Sequence, residues 1–216
     1  MTRRDDITGV ILCGGDARRM HGVEKSLQLL AGVPLVHHVR ASLAPQVGRV
    51  LVSANREQRT YRQWVDQDDI VADQQRGLGP LGGIASVIPQ VRTGWLFCCP
   101  GDAPFLHHSL VSRLSAPLNG NADAMLSIPS DGERVQNLFL FMRHSVAAEL
   151  PAYLSSGGRS VRGFIEQTAH VVIDASDIRD SFLNINTDDE LRAANASPGP
   201  TNSSRSTPNL SSSPAL

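Results

Sequence analysis

The chain has 216 residues, 20 Lys and Arg against 21 Asp and Glu for a formal charge of -1, and 41% hydrophobic residues. That length suits one α/β domain with a sizeable core, and the balanced charge speaks against broad attraction to nucleic acid or to a membrane surface. No run reaches the length of a membrane span, residues 1–6 are charged rather than apolar as a secretory signal requires, and cysteines at 13, 98 and 99 are too few for a disulfide framework, so the expectation is a cytoplasmic protein.

Taken in order, residues 7–12 form an apolar run that reads as a buried strand. Pro34, favoured in a first turn, opens a helix to residue 43. A strand at 49–53, a helix at 57–65 and a short strand at 69–72 follow. A helix at 81–88 comes after a Gly/Pro loop, and the apolar stretch 94–99 is fit for the sheet centre. A helix at 107–114, strands at 124–127 and 137–141, helices at 144–154 and 159–166 and a strand at 170–173 complete the set. Thr187 is an N-cap for a last helix reaching residue 194. The alternation predicts a Rossmann-like three-layer α/β/α fold with a mostly parallel central sheet. Ligands in such sheets bind beyond the carboxyl ends of the strands, where the loops at Gly14, Asp73 and Pro100 begin. From Ser197 the composition changes: residues 197–216 hold seven Ser, four Pro and one charge. They cannot bury enough apolar surface to offset their ordering entropy. The domain is therefore expected to span 1–196, followed by a disordered tail.

Three segments carry candidate chemistry. Leu12, Cys13, Gly14 and Gly15 leave the first strand and lead through Arg18 and Arg19 to Lys25. Glycine lets backbone approach an anion, its N–H groups bind phosphate oxygens, and the cations add charge-assisted hydrogen bonds. Lys25 comes ten residues after Gly15 without a preceding Gly, so this is no P-loop, and the Gly-x-Gly-x-x-Gly fingerprint is absent. A plain Gly-rich turn with solvated cations is the competing reading. Asp102, in Cys99-Pro100-Gly101-Asp102-Ala103-Pro104, is placed either to hold Mg²⁺ against a triphosphate or to cap a following helix. Gly77-Leu78-Gly79-Pro80-Leu81-Gly82-Gly83 brings backbone close to a base or serves as a connector, and Asp73 upstream holds a base or ribose edge or is a turn residue. Cys98 and Cys99 should face opposite sides of one strand. The pairs His37-His38 and His107-His108 lack the spacing of metal ligands.

Together these motifs resemble the molybdenum cofactor guanylyltransferases. That family's L-A-G-G-x-x-x-R-M-G-G-x-D-K corresponds to Leu12 through Lys25, its G-P-L-A-G to Gly79-Pro80-Leu81-Gly82-Gly83, and its C-D-x-P-F to Gly101-Asp102-Ala103-Pro104-Phe105. Its S-F-x-N-I-N-T-P-E-D-L corresponds to Ser181-Phe182-Leu183-Asn184-Ile185-Asn186-Thr187-Asp188-Asp189-Glu190-Leu191, and the likeness spans residues 7–194. Cys13 stands for Ala, His21 for Gly, Glu24 for Asp, Ser53 for Asn, Asn137 for Pro and Asp188 for Pro.

The resemblance implies a nucleotidyltransferase that joins GMP from GTP to molybdenum-bound molybdopterin and releases pyrophosphate. It implies Arg19 and Lys25 at the triphosphate and Asp102 on Mg²⁺, the three carrying catalysis. Leu12, Cys13, Gly14 and Gly15 supply backbone contacts. Ser53, Asp73, Gly79, Pro80 and Leu81 line the nucleoside, and Asn184 and Asn186 meet the acceptor. The implied protein is a monomer that touches cofactor-inserting or acceptor molybdoenzyme proteins transiently and binds neither nucleic acid nor membrane. A cytidylyltransferase using CTP and the same pterin, a non-catalytic module that binds nucleotide and delivers cofactor, and a sugar-1-phosphate transferase are the competing functions.

Overall fold

The computed structural model describes residues 2–14, 24–66, 69–75 and 77–196. Strand β1 (Ile7–Cys13) is the axis of the fold. Six of its residues pair in parallel with β4 (Arg49–Ala54) on one side, and six with β6 (Trp95–Pro100) on the other. Beyond β4 lies β5 (Ile70–Val71). Beyond β6 come the antiparallel β8 (Leu140–Arg143), then β7 (Leu126–Ser130), then β9 (His170–Asp174), which is parallel to β7. The seven-stranded order β5-β4-β1-β6-β8-β7-β9 is thus mostly parallel, as the alternation predicts.

Both faces are covered. Ile7, Ile11 and Cys13 of β1, with Phe97 and Cys99 of β6, pack under α1 (Leu35–Leu43) and α4 (Leu110–Ser115). Val10, Leu96 and Cys98 face the opposite layer of α3 (Gly79–Val87), α6 (Leu150–Ser155) and α7 (Val161–Glu166). Period-two alternation thus puts Cys98 and Cys99 in different cores. Gly9 lets α1 settle on β1, since a Cβ there would lie 2.8 Å from Leu43 Cδ2.

Several boundaries move for identifiable reasons. The Gly/Pro loop is itself the first turn of α3, which starts at Gly79 with Pro80 beside it, where a missing N–H costs nothing. The expected helix at 57–65 is α-helical only over α2 (Gln58–Tyr61). The expected helix at 144–154 divides into α5 (His144–Ala147) and α6, with Pro151 in the first turn of α6. β7 continues to Ser130 because β9 pairs with it along its whole length. β8 begins only at Leu140, because a turn in which Phe139 N donates to Gln136 O (3.1 Å) takes up the residues before it. Thr187 does cap the last helix, α8 (Asp188–Ala196): its Oγ1 accepts from Glu190 N at 3.2 Å, and Glu190 Oε2 accepts from Thr187 N at 3.0 Å. A two-residue hairpin of β2 (Leu29–Leu30) and β3 (Val33–Pro34) joins α8 through Asn195, whose Oδ1 accepts from Ala31 N at 2.8 Å. Residues 197–216 lie outside the described residues.

Candidate active site

The carboxyl ends of β1, β4, β5 and β6 open on one edge of the sheet, and the candidate residues gather there. Lys25 begins a single 3-10 turn, Lys25–Leu27. That turn is anchored from below: Ser26 is buried and its Oγ lies 2.6 Å from the hydroxyl of the fully buried Tyr61. Both hydroxyls approach Cys13, whose thiol burial pushes up to about 12. Tyr61 is pushed far above the usual phenol range, again chiefly by burial. Neither group is ionised near neutrality, so this is a neutral bracket under Lys25 rather than a nucleophile. Glu24, just before the turn, is raised by its own burial and partly restored by Arg56.

Lys25 reaches away from that bracket, and its Nζ donates to Asn186 Oδ1 at 2.9 Å. Asn186 belongs to the short extended run before α8. Ile185, between Asn184 and Asn186, is buried against Leu30 and Leu35. Its N–H donates to the carbonyl of Asp102 at 2.9 Å. One bond therefore ties this late segment to Lys25 and another ties it to the backbone of Asp102. Among the described residues Asn184 Oδ1 is shielded and has no hydrogen-bond partner. A buried acceptor without a donor costs free energy.

Asp102 follows β6 through Gly101, whose N–H donates to Leu12 O at 3.0 Å. Only glycine fits there: a Cβ would lie 2.5 Å from Cys13 Sγ and 3.2 Å from Ser26 Cβ. Burial raises the Asp102 carboxyl above its ordinary range, the Lys25 ammonium pulls it down, and Glu190 pushes it up. The helix-cap alternative fails, because α4 starts at Leu110 with Ser109 as its cap residue.

Across the edge, Asp73 is held from two sides. Asn55 Oδ1 accepts from Asp73 N at 2.7 Å, and Asn55 Nδ2 donates to Asp73 Oδ2 at 2.7 Å. Ser53 Oγ donates to Asp73 Oδ1 at 3.2 Å. Ser86 of α3 accepts from Gln74 N at 2.8 Å and donates to Gly82 O at 2.8 Å, so the same loop is fixed to the helix. Gly83 leaves room for this arrangement, since a Cβ would stand 2.6 Å from Ser53 Oγ. Gly79, at the head of α3, has a φ of +62°, which favours glycine, and nothing lies within 4 Å of where its Cβ would be. Pro80 and Leu81 follow in the first turn, Leu81 fully buried.

The edge thus brings together Leu12, Cys13, Gly14, Lys25, Ser53, Asp73, Gly79 and Asp102, with Asn184 and Asn186 joined to it. Ser53 stands differently from expectation: it is buried, and its hydroxyl is spent on Asp73. Gly15 and Arg19, like Arg18, lie outside the described residues. Sequence reasoning missed Asn55 and the pair Ser26–Tyr61. Asn55 carried a positional signal only: it is the first residue past the carboxyl end of β4, where ligands of such sheets bind.

Among the described residues no three His, Cys, Asp or Glu side chains gather as a metal cage. Magnesium is commonly bound by one or two carboxylates together with substrate phosphates and water. Asp102 fits such a role. No helix among the described residues is long and apolar enough to cross a membrane.

Comparison with known proteins agrees with this geometry. Residues 9–171 match the model of the MobA-like NTP transferase domain. The chain is 36% identical over 185 residues to the molybdenum cofactor guanylyltransferase of Shewanella piezotolerans, covering 85% of this chain and 89% of that one. It is 39% identical over 204 residues to the protein of that name from Cupriavidus pinatubonensis, covering 91% and 100%. The fold superposes on the crystal structure of molybdopterin-guanine dinucleotide biosynthesis protein A from Archaeoglobus fulgidus with a TM-score of 0.70, at 24% identity, covering 88% of this chain and 97% of that one. The protein is therefore a nucleotidyltransferase, and the chain belongs to the MobA-like NTP transferase family.

Proposed function

We propose that the protein transfers GMP from GTP to the terminal phosphate of molybdenum-bound molybdopterin, giving the guanine dinucleotide cofactor and pyrophosphate. The observation that carries this reading is the joining of Lys25, Asp102 and the Asn184–Asn186 segment at the sheet edge where Asn55 and Ser53 hold Asp73 past the end of β4. A phosphate cation, a carboxylate and an amide pair on one side of a nucleoside pocket are the parts that joining two phosphates needs.

The chemistry asks little covalent work of the protein. An oxygen of the acceptor phosphate attacks the α-phosphorus of GTP and forms a new P–O bond. The bond from that phosphorus to the α–β bridging oxygen breaks, and pyrophosphate leaves with the electron pair. The acceptor is already anionic, so the protein's part is to position two anions and offset their repulsion. Lys25 neutralises the triphosphate, with Arg19 as its proposed companion. Asp102 would hold Mg²⁺, which when bound neutralises phosphate charge. Leu12, Cys13, Gly14 and Gly15 offer backbone groups to the phosphates, and Gly79, Pro80 and Leu81 border the base. Asn184 Oδ1 is an acceptor for a pterin N–H, and Asn186 passes between Lys25 and the acceptor. The same proposal makes it a cytoplasmic monomer that hands its product to proteins of molybdoenzyme assembly.

The test is pyrophosphate release with Mg²⁺, molybdenum-loaded molybdopterin and each of the four NTPs in turn. Release with GTP alone is expected. Release with CTP alone would assign a cytidylyltransferase, and release with none would reject catalysis.

A further inference from the structure

We propose that Asn55 is a positioning residue: it holds the Asp73 carboxylate so that its free lone pairs accept two adjacent donors of the nucleoside. The inference rests on the reading that this crevice binds GTP and extends it to a residue beyond the motifs matched above.

Asn55 ends the run Ser53–Ala54–Asn55 at the carboxyl edge of β4 and uses both ends of its amide on one partner. Its Oδ1 accepts from Asp73 N, and its Nδ2 donates to Asp73 Oδ2, each at 2.7 Å. These bonds fix the amide orientation, because reversing it would put a donor against a donor and an acceptor against an acceptor. Ser53 Oγ occupies the other carboxylate oxygen at 3.2 Å. A carboxylate has about four lone-pair directions. With one on each oxygen taken by Asn55 and Ser53, one on each oxygen remains among the described residues, in a plane the protein sets. A pair of neighbouring donors matches that arrangement, whether the N1–H and amino group of guanine or two ribose hydroxyls.

The surroundings support aiming rather than simple loop closure. The loop backbone has a separate tether, Gln74 N to Ser86 Oγ at 2.8 Å. Were anchoring the only need, the second Asn55 bond, to the carboxylate itself, would be superfluous. Asn55 also borders the phosphate loop, since a Cβ on Gly14 would lie 3.8 Å from Asn55 Nδ2. The amide therefore stands between the β1 loop and Asp73, which makes it a spacer between the phosphate and nucleoside ends of the crevice.

Two variants separate aiming from anchoring. Asn55→Ala removes both bonds. Asn55→Asp keeps the acceptor for Asp73 N, removes the donor to the carboxylate and sets a like charge against it. GTP affinity is measured by calorimetry on the full chain, with turnover at saturating GTP and melting temperature alongside. Both variants are expected to weaken GTP binding by about tenfold to a hundredfold, the range for losing a hydrogen bond to a charged group. Turnover at saturation should stay within about twofold, as for lost binding that ground and transition states share. ITP, which lacks the amino group, and 2′-deoxyGTP identify the donors: the wild type should discriminate against one of them, and both variants should lose that discrimination. Wild-type affinity in Asn55→Asp would reduce Asn55 to a loop anchor and overturn the proposal. So would unchanged discrimination against both analogues in both variants. A wild-type protein that does not bind GTP would overturn the functional reading as well, whereas tight GTP binding unaffected by either variant would overturn this inference alone.

Discussion

Lys25 Nζ donates to Asn186 Oδ1 across 2.9 Å, joining residues 161 positions apart in the chain. The cation assigned to the triphosphate and the amide assigned to the acceptor are thus direct partners. Lys25→Ala should lower turnover by about 10²-fold or more, the usual cost of losing one preorganised charge at a reacting phosphate. Its melting temperature should stay close to wild type, because the turn is held by Ser26 and Tyr61 rather than by the ammonium. Near wild-type turnover in a normally melting variant would remove Lys25 from the mechanism.

The same bond separates the two asparagines. Asn186→Ala frees Lys25 and should weaken both GTP and pterin binding. Asn184→Ala removes an unpaired buried acceptor and should weaken pterin binding while sparing GTP. Separate titrations of each ligand against each variant check this. Identical losses of both ligands in both variants would point to a shared folding defect.

Asp102→Asn keeps the side chain's shape and removes the charge a metal would need. Activity should fall far more than GTP affinity, and Mg²⁺ titration at fixed GTP should no longer saturate as in the wild type. An unchanged Mg²⁺ requirement would assign the metal elsewhere.

Gly101→Ala should destabilise the fold, because its Cβ would stand 2.5 Å from Cys13 Sγ. Overpacking of this kind costs about 1–3 kcal/mol. Cys13→Ala, which deletes the obstructing sulfur, should recover part of that loss, so the double variant should be more stable than additivity predicts. Chemical denaturation of the four proteins provides the cycle, and strict additivity would mean the strain arises elsewhere.

The thiols are raised in the folded protein, Cys13 and Cys98 to about 12 and Cys99 well above 9.0, in each case by burial first. A folded pKa above the unfolded one favours the neutral group. The resulting stability is complete below pH 9 and is lost as pH rises from there toward 12. Iodoacetamide at pH 8 should therefore leave the folded chain unmodified and label all three cysteines in denaturant. Rapid labelling of the native protein would contradict the burial described.

The sheet was legible in the sequence because its strands are short apolar runs bounded by turn residues, with alternation sorting Cys98 from Cys99. The positions of Gly14, Asp73 and Asp102 were legible because each follows a strand's carboxyl end. The β2–β3 hairpin was not: its turn uses Ala31 at φ +50° before Gly32 at φ +78°, and alanine carries no turn signal there. Ser26 and Tyr61 looked like ordinary polar and aromatic residues until folding brought their hydroxyls to 2.6 Å. Nor does local pattern reveal that Asn186 returns to Lys25, since long-range contacts bring that segment back: the burial of Ile185 against Leu30 and Leu35 and its bond to the Asp102 carbonyl.

The most direct test of the central claim follows the phosphorus. GTP labelled at either the α or the γ phosphate is incubated with the protein, Mg²⁺ and molybdenum-loaded molybdopterin, and the pterin product and pyrophosphate are separated. The account predicts α-label in a pterin–guanine dinucleotide and γ-label in pyrophosphate, in equal amounts. Label in the pterin from the γ position, or no labelled pterin with an intact, GTP-binding protein, would contradict it.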